Sequence, residues 1–541
     1  MSSRTARLVL GFSMFVMGVC GIVYEYVLSV LGNYLIGSSY KEMLIVIGLM
    51  MFAMGTGSIF QQRLRKNLLD KFLTLEIILG LTGGIAATVV YVAFATSESY
   101  RVVLYGFAYL IGMLIGMEIP ILIRINKEHS PTLRTNLSDI LSMDYVGSLA
   151  GALLFVYVLL TRFSLARIGF ILGLANLAVS LIGLVAFRKL LARPRQIAAL
   201  AITAAAILSI GVTFADDWTA RAEQYYLRDP IVLRQSTPYQ HLVMTRRGDL
   251  VHLYINQHAQ FSSADEQIYH DMLVHPPMTL AASRRRVLVL GGGDGLAVRE
   301  LLRYPDVETV TLVDIDEAMI RVAATEPALV ALNKGSLRHA VLRRSVDAEP
   351  VRLLDELAGP ASSPPATRVE VVIADADLFL GRGRGDQMFD VAIVDFPDPR
   401  SVELAKLYSQ DFYRVLRRHL TPKAMIAVQS SSPFHAKQAY LCIGETLRAA
   451  GFSVVPYHQN VPSFSEWGFH LASPGAGRDA SLLEQMRGIT SFAVETRFAT
   501  PEIVVMSTYF GKDWLTSDEP VRPSSKMNPV LLSYYAEAWN Y

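Results

Sequence analysis

Residues 1–215 hold seven apolar stretches of bilayer-spanning length, roughly 8–31, 43–60, 73–96, 102–123, 144–160, 168–187 and 197–215. A hydrocarbon core about 30 Å thick takes about 20 helical residues to cross. Backbone polar groups in hydrocarbon must be satisfied within the segment, so such stretches have to be helices. They lack the polar face that a helix at the rim of a soluble core would carry. The first stretch is too long for a signal-peptide core and has no clear cleavage site, so it is expected to be retained. The expectation for 1–215 is a helical, multi-pass domain of about seven spans in the cell (inner) membrane, with the lipid bilayer as its partner.

The rest of the chain has a different character. The 541 residues are 52% hydrophobic, but that excess is confined to the first part. Residues 1–215 carry 17 basic and 9 acidic side chains, net +8, and residues 216–541 carry 33 and 39, net −6. An acidic soluble part suits a polycationic ligand and argues against nucleic acid. Cys20 and Cys442 lie in different parts, which excludes a disulfide framework and a cysteine zinc site. Charge also bears on topology. With seven spans, the N-terminus and the loops near 61–72, 124–139 and 188–196 share one side and hold 13 basic residues, against four opposite. The positive-inside rule then puts everything after 215 outside the cytoplasm.

Within the apolar part, Glu25 and Glu118 are flanked by apolar residues on both sides, and intramembrane carboxylates are costly and often functional. They suit either cation binding or an interhelical hydrogen bond. Glu76 stands near a span end, where it is expected to reach water. Gly48, Gly55 and Gly57 are expected to permit close helix contact.

After a connecting segment at 216–228, residues 231–261 alternate as strands, with a turn at Arg247-Gly248-Asp249. Ser262 or Ser263 is placed to cap a helix carrying Tyr269, His270 and Met272. Val287–Leu290 then reads as a buried parallel strand, Gly291–Gly293 as a tight turn, Val298–Leu302 as the start of a helix, and Val310–Val313 as a second strand ending at Asp314. Asp314 is placed to take ribose hydroxyls, as in other nucleotide-binding βαβ units. Residues 359–367 read as a surface insertion. Two further strands end in acids, at Asp375 and at Asp395 with Asp398 beyond it. The expected organisation is 1–215 membrane helices, 216–280 a small β-rich part, and 281–541 an α/β, doubly wound, Rossmann-like domain.

Ligands of such sheets bind outside the carboxyl ends of the strands. Asp294, Asp314, Asp375, Asp395 and Asp398 are all assigned to that edge. Asp294 is the discriminating residue, because a turn built for pyrophosphate or for the carboxylate of S-adenosylmethionine should not carry an anion. A decarboxylated S-adenosylmethionine, with a sulfonium and a primary ammonium, suits it. A diamine as second substrate needs one carboxylate for its distal ammonium and another to take the proton from the attacking nitrogen.

The GGGDG turn with VDID, the YHDM helix, the DFPDP segment, LYSQDFYRVLRRHL, YQH at Tyr239–His241 and SEWGFHLAS together resemble the spermidine synthases, the polyamine aminopropyltransferases, over about 231–475. The apolar spans resemble the membrane-bound bacterial branch of that family. The resemblance implies transfer of an aminopropyl group from decarboxylated S-adenosylmethionine, as co-substrate and without metal or other cofactor, to putrescine or a similar polyamine. It implies that Gln240, Asp314 and Asp375 contact the nucleoside, that His270 and Asp294 line the aminopropyl and amine side with Tyr269 beside them, that Asp395 accepts the proton, and that Asp398 holds the polyamine ammonium. Supply of that co-substrate inside the cell favours a cytoplasmic catalytic domain, against the charge count. A homodimer is compatible with the resemblance but not specified by it. Asp314 stands where glutamate is usual, Asn256 where many members have aspartate, and Ser431 where many have glutamate; the last two bear on amine preference. Two other readings remain open: a polyamine-sensing or transporting membrane protein with a nucleoside-binding domain, and an S-adenosylmethionine-dependent methyltransferase.

Overall fold

The computed structural model describes residues 3–36, 40–97, 99–127, 132–345, 347–349, 351–353, 367–382 and 388–539. The chain divides into two compact units, Met1–Ile231 and Val232–Tyr541.

The first unit is helical. Its long helices are α1 (Ser3–Ile36), α2 (Tyr40–Phe60), α3 (Leu68–Thr96), α4 (Tyr100–Asn126), α5 (Leu133–Leu154), α6 (Leu165–Ala186) and α7 (Pro194–Tyr226). Among the described residues, seven helices are long and apolar enough to cross a membrane. Helix α7 continues to Tyr226, so residues 216–226, read from the sequence as part of the connecting segment and the β-rich part, extend the last apolar helix. Small residues let the helices approach: a Cβ at Gly80 of α3 would stand 2.7 Å from the Gly173 carbonyl oxygen of α6. The expectation for the α2 glycines holds only for Gly57, whose Cβ would fall 2.0 Å from the Met113 carbonyl oxygen, while Gly48 and Gly55 face open space. The reason is angular. At about 100° per residue, positions 48 and 55 share one face and position 57 lies on the other.

The second unit begins with a four-stranded sheet in spatial order β1 (Ile231–Ser236), β2 (His241–Arg247), β3 (Leu250–Ile255) and β4 (His258–Ser262). The β2–β3 turn falls at Gly248 and Asp249, where Gly248 has φ 62°. Helix α8 (Glu266–Leu280) follows. Neither Ser262 nor Ser263 caps it: Ser262 ends β4, and Asp265 precedes the helix with its carboxylate turned to the Ser463 backbone N–H at 2.6 Å.

The main sheet has nine strands. In chain order they are β5 (Arg286–Gly291), β6 (Thr309–Asp314), β7 (Val341–Arg343), β8 (Val351–Arg352), β9 (Arg368–Ile373), β10 (Phe389–Asp395), β11 (Leu420–Gln429), β12 (Phe452–Val461) and β13 (Ser465–Pro474). Their spatial order is β12-β13-β11-β10-β5-β6-β9-β7-β8. The run from β11 to β7 is parallel, and the outer pairs are antiparallel. Strand β5 is buried on both faces. Val287 and Val289 pack with Leu301 and Tyr304 on one side, and Leu288 and Leu290 with Phe412 and Tyr413 on the other. That double burial is why the strand is a continuous apolar run rather than an alternating one. The expected α/β doubly wound domain is present. Helix α9 spans Leu296–Leu301, two residues earlier than the apolar pattern indicates, because the Asp294 carboxylate accepts the Leu296 N–H at 2.9 Å. The surface insertion expected at 359–367 lies, apart from Thr367, outside the described residues.

Candidate active site

The carboxyl ends of the parallel strands carry all five acids singled out above. Asp294 follows β5, Asp314 ends β6, Asp375 follows β9, Asp395 ends β10, and Asp398 lies three residues further on. Their surroundings divide them.

Asp294, Asp314 and Asp395 share one electrostatic environment around the glycine turn. Gly291, with φ 80°, lets β5 run against β10: a Cβ there would sit 2.2 Å from the Asp395 carbonyl oxygen. At Gly293 a Cβ would fall 2.5 Å from Asp314 Oδ2, so the missing side chain makes room for that carboxylate. Burial pushes the Asp314 carboxyl up to about 6, and the charges of Asp316 and Asp294 add to the rise. Asp395 is likewise pushed up to about 6 by burial, with His270 and the Tyr269 hydroxyl pulling it down and Asp294 pushing it up. Asp294 is raised by withdrawal from water, and His270 restrains it.

Helix α8 supplies the opposing wall. The Tyr269 hydroxyl donates to Asp395 Oδ1 at 2.5 Å, and its ring is tilted against Phe469. His270 is 2% exposed, and its Nδ1 meets the Glu266 backbone oxygen at 2.7 Å and Glu266 Oε2 at 3.0 Å. Burial alone would lower its basicity. The Glu266 hydrogen bond and charge, with Asp294 and Asp395, outweigh burial and lift it to about 9. Glu266 is itself gripped by Arg299, whose Nη1 and Nη2 donate to its two carboxylate oxygens at 3.0 and 2.9 Å. Burial opposes its charge, but His270 and Arg299 hold it at about 2. The result is an imidazolium fixed by Glu266 and felt by the charges of Asp294 and Asp395.

The other sequence-singled residues sit in different settings. Gln240 donates through Nε2 to Asp316 Oδ2 at 2.8 Å, and the Thr237 hydroxyl reaches the same oxygen at 2.9 Å. Thr237 and Asp316 line an open groove together with Pro238, Tyr239, Ile315 and Ile373. Asp375 caps helix α10 (Ala376–Gly381), accepting the Asp377 N–H at 2.9 Å, and pairs with Lys406 Nζ at 2.6 Å. Burial works against its charge, but Lys406 keeps its carboxyl below the ordinary range. Asp398 is enclosed. It accepts from the Tyr535 hydroxyl at 2.9 Å, Gln429 Nε2 at 3.2 Å and the Ser431 hydroxyl at 3.4 Å, with Arg400 Nη2 at 3.8 Å. Asp294, Asp314 and Asp395 therefore border the glycine turn, whereas Asp375 is paired with Lys406 and Asp398 is enclosed by Tyr535, Gln429 and Ser431.

Glu266, Arg299, Asp316, Lys406, Arg400 and Tyr535 take part in this arrangement without having been assigned roles from the sequence. A signal existed for two of them: Glu266 stands four residues before His270 on one helix face, and Asp316 is the second acid of VDID. Of the two departures, Ser431 sits against Asp398, whereas Asn256 serves the fold. It holds a left-handed turn (φ 49°) and accepts the His241 N–H at 2.9 Å. Among the described residues, one group has metal-ligand spacing: Asp271, His275 and Glu300, with ligand atoms within 4.8 Å of one another. Burial lowers the basicity of His275 but its two carboxylate partners raise it above the usual value; its Nε2 lies 3.3 Å from Asp271 Oδ1 and 3.5 Å from Glu300 Oε2.

Comparison with known proteins follows the same pattern. Residues 266–326 and 357–477 match the spermine/spermidine synthase domain. Polyamine aminopropyltransferase 2 of Ralstonia nicotianae is 40% identical over 100% of this chain and 99% of its own length. The polyamine aminopropyltransferase of Leptospira interrogans is 34% identical over 98% of each chain. Among solved structures, the spermidine synthase from Thermotoga maritima is 21% identical, covering 53% of this chain and 87% of that one, with a TM-score of 0.40. With relatives similar from one end of the chain to the other, including the apolar helices, the chain belongs to the spermine/spermidine synthase family and is an aminopropyltransferase.

Proposed function

We propose that the enzyme transfers the aminopropyl group of decarboxylated S-adenosylmethionine to putrescine or a closely related amine, giving spermidine and methylthioadenosine. The observation that carries this reading is the cluster of Asp294, Asp314 and Asp395 around the glycine turn, faced by a hydrogen-bonded Tyr269 and a charged His270. A net anionic pocket favours a sulfonium nucleoside with an ammonium tail over one with an α-carboxylate. The amine nitrogen attacks the propyl carbon next to sulfur, the carbon–sulfur bond breaks with its electron pair going to sulfur, and the proton leaves the nitrogen for Asp395. Asp395 with its carboxyl raised to about 6 is a stronger base than an ordinary aspartate and is still ionised at neutral pH. Asp314, Gln240 and Asp375 serve the nucleoside, and Asp294 and Asp398 the cationic groups.

Replacement Asp395→Asn tests the assignment: turnover is lost while the nucleoside still binds, and retained turnover would overturn it. Calorimetry with decarboxylated and intact S-adenosylmethionine side by side separates this reading from a methyltransferase, which would bind the intact form at least as tightly. The helical unit is assigned to the cell membrane on the length and apolarity of its helices. The catalytic unit is assigned to the cytoplasmic side on substrate supply, which protease accessibility in sealed spheroplasts tests against the opposite charge-based orientation.

A further inference from the structure

The helical unit contains a polar cluster that the reaction does not use. The sequence singled out Glu25 and Glu118 and set Glu76 at a span end within reach of water. The structure reverses this. Glu76 is 0% exposed, and it is Glu76 of α3, not the partly exposed Glu25, that lies beside Glu118 of α4, itself 2% exposed. The reason is the tilt of burial around α3: Glu76, Gly80 and Gly83 follow one another at spacings of four and three, on the stripe that faces the unit's interior.

Two more helices contribute polar groups to that stripe. Tyr24 of α1 lays its ring over Gly83, where a Cβ would meet it at 2.4 Å, and both carboxylates act on its hydroxyl. Asn176 of α6 stands opposite Gly80, its Cβ 3.4 Å from where a Gly80 Cβ would lie. Tyr24 is 1% exposed and Asn176 0% exposed. The Tyr24 hydroxyl and both amide atoms of Asn176 have no hydrogen-bond partner among the described residues, and the Glu76 and Glu118 carboxyl groups meet only each other. Buried polar atoms are nearly always satisfied. Two adjacent buried carboxyl groups shed their charge by taking up protons unless a positive charge enters to compensate it, which is what an ammonium would do.

From these four side chains we infer that Glu76, Glu118, Tyr24 and Asn176 form a second cation site, within the helical unit, for a primary ammonium group. An ammonium brings one charge and three N–H donors. The acceptors on offer are the two carboxyl groups, the Tyr24 oxygen and the Asn176 carbonyl. The inference is independent of the reaction proposed for the catalytic unit.

The test uses the detergent-purified full chain and radiolabelled methylammonium, a primary ammonium small enough for a closed site, with sodium-22 as a parallel probe. Saturable methylammonium binding is expected, weakened about tenfold or more by Glu76→Gln and by Glu118→Gln, the loss of a charge-assisted hydrogen bond. Tyr24→Phe should weaken it severalfold, and Asp395→Asn should leave it unchanged. Aminopropyl transfer should persist in the Glu76→Gln and Glu118→Gln variants, which shows that they are folded; if it does not, the milder Tyr24→Phe variant decides. Absence of saturable binding, binding indifferent to these helical-unit replacements, binding lost only in Asp395→Asn, or sodium binding that methylammonium does not displace would each overturn the inference.

Discussion

Burial and the charges of His270 and Asp294 set the working pH of Asp395 together with the Tyr269 hydroxyl, which is hydrogen-bonded to its carboxylate. The hydroxyl donates at 2.5 Å to Asp395 Oδ1, and that bond favours the ionised carboxylate. Replacement Tyr269→Phe removes the donor and keeps the ring that packs on Phe469. A hydrogen bond to a charged acceptor contributes about 1.5–3 kcal/mol, and about 1.4 kcal/mol corresponds to one pK unit. Part of the bond survives in the protonated acid, so the differential effect is about one unit upward. The direction follows from the sign: the lost bond stabilised the anion, so its removal raises the pKa of the acid. With Asp395 as proton acceptor, the acidic limb of kcat/KM, which reports the free enzyme, is expected near pH 6 in the native chain. In Tyr269→Phe it should move to about pH 7. Release of methylthioadenosine measured from pH 5 to 9 gives the profile. An unmoved limb, or one shifted to lower pH, would refute the role of the hydroxyl.

Three further outcomes follow from the geometry. Glu266→Gln leaves Arg299 and His270 buried without their main counter-charge, which should cost about 3–5 kcal/mol. The His270 part of that loss is largest below about pH 6.5 and disappears as pH rises through about 9, where the folded-state imidazolium deprotonates, so melting curves of the two chains should draw closer at pH 9.5 than at pH 6. Gly293→Ala drives a methyl group into Asp314 Oδ2, at 2.5 Å, and should weaken nucleoside binding about tenfold or more in calorimetry while the sheet stays folded. Tyr535→Phe removes a donor from Asp398 and should change KM for the amine without changing nucleoside affinity, as read from initial rates over both substrates.

Much of the site was legible because parallel sheets impose a simple geometry. A buried strand is a continuous apolar run, and whatever follows it stands on one edge, so Asp294, Asp314, Asp375, Asp395 and Asp398 were assigned to that edge from order alone. What order does not reveal is the partner of each acid. Lys406 reaches Asp375 across 31 residues and Tyr535 reaches Asp398 across 137. Those contacts decide which acids border the glycine turn and which already have side-chain partners elsewhere in the fold.

In the helical unit the division is the same. Length and apolarity determined that residues 1–215 form long helices, because a continuous apolar stretch of that length can satisfy its backbone within itself only as a helix. The rotation of each helix about its axis, which places Glu76 inside beside Glu118 and leaves Gly48 and Gly55 facing out, was set only by packing among helices that are apolar on every side. A helix with no polar face carries no signal of which stripe turns inward, and only the neighbouring helices choose it.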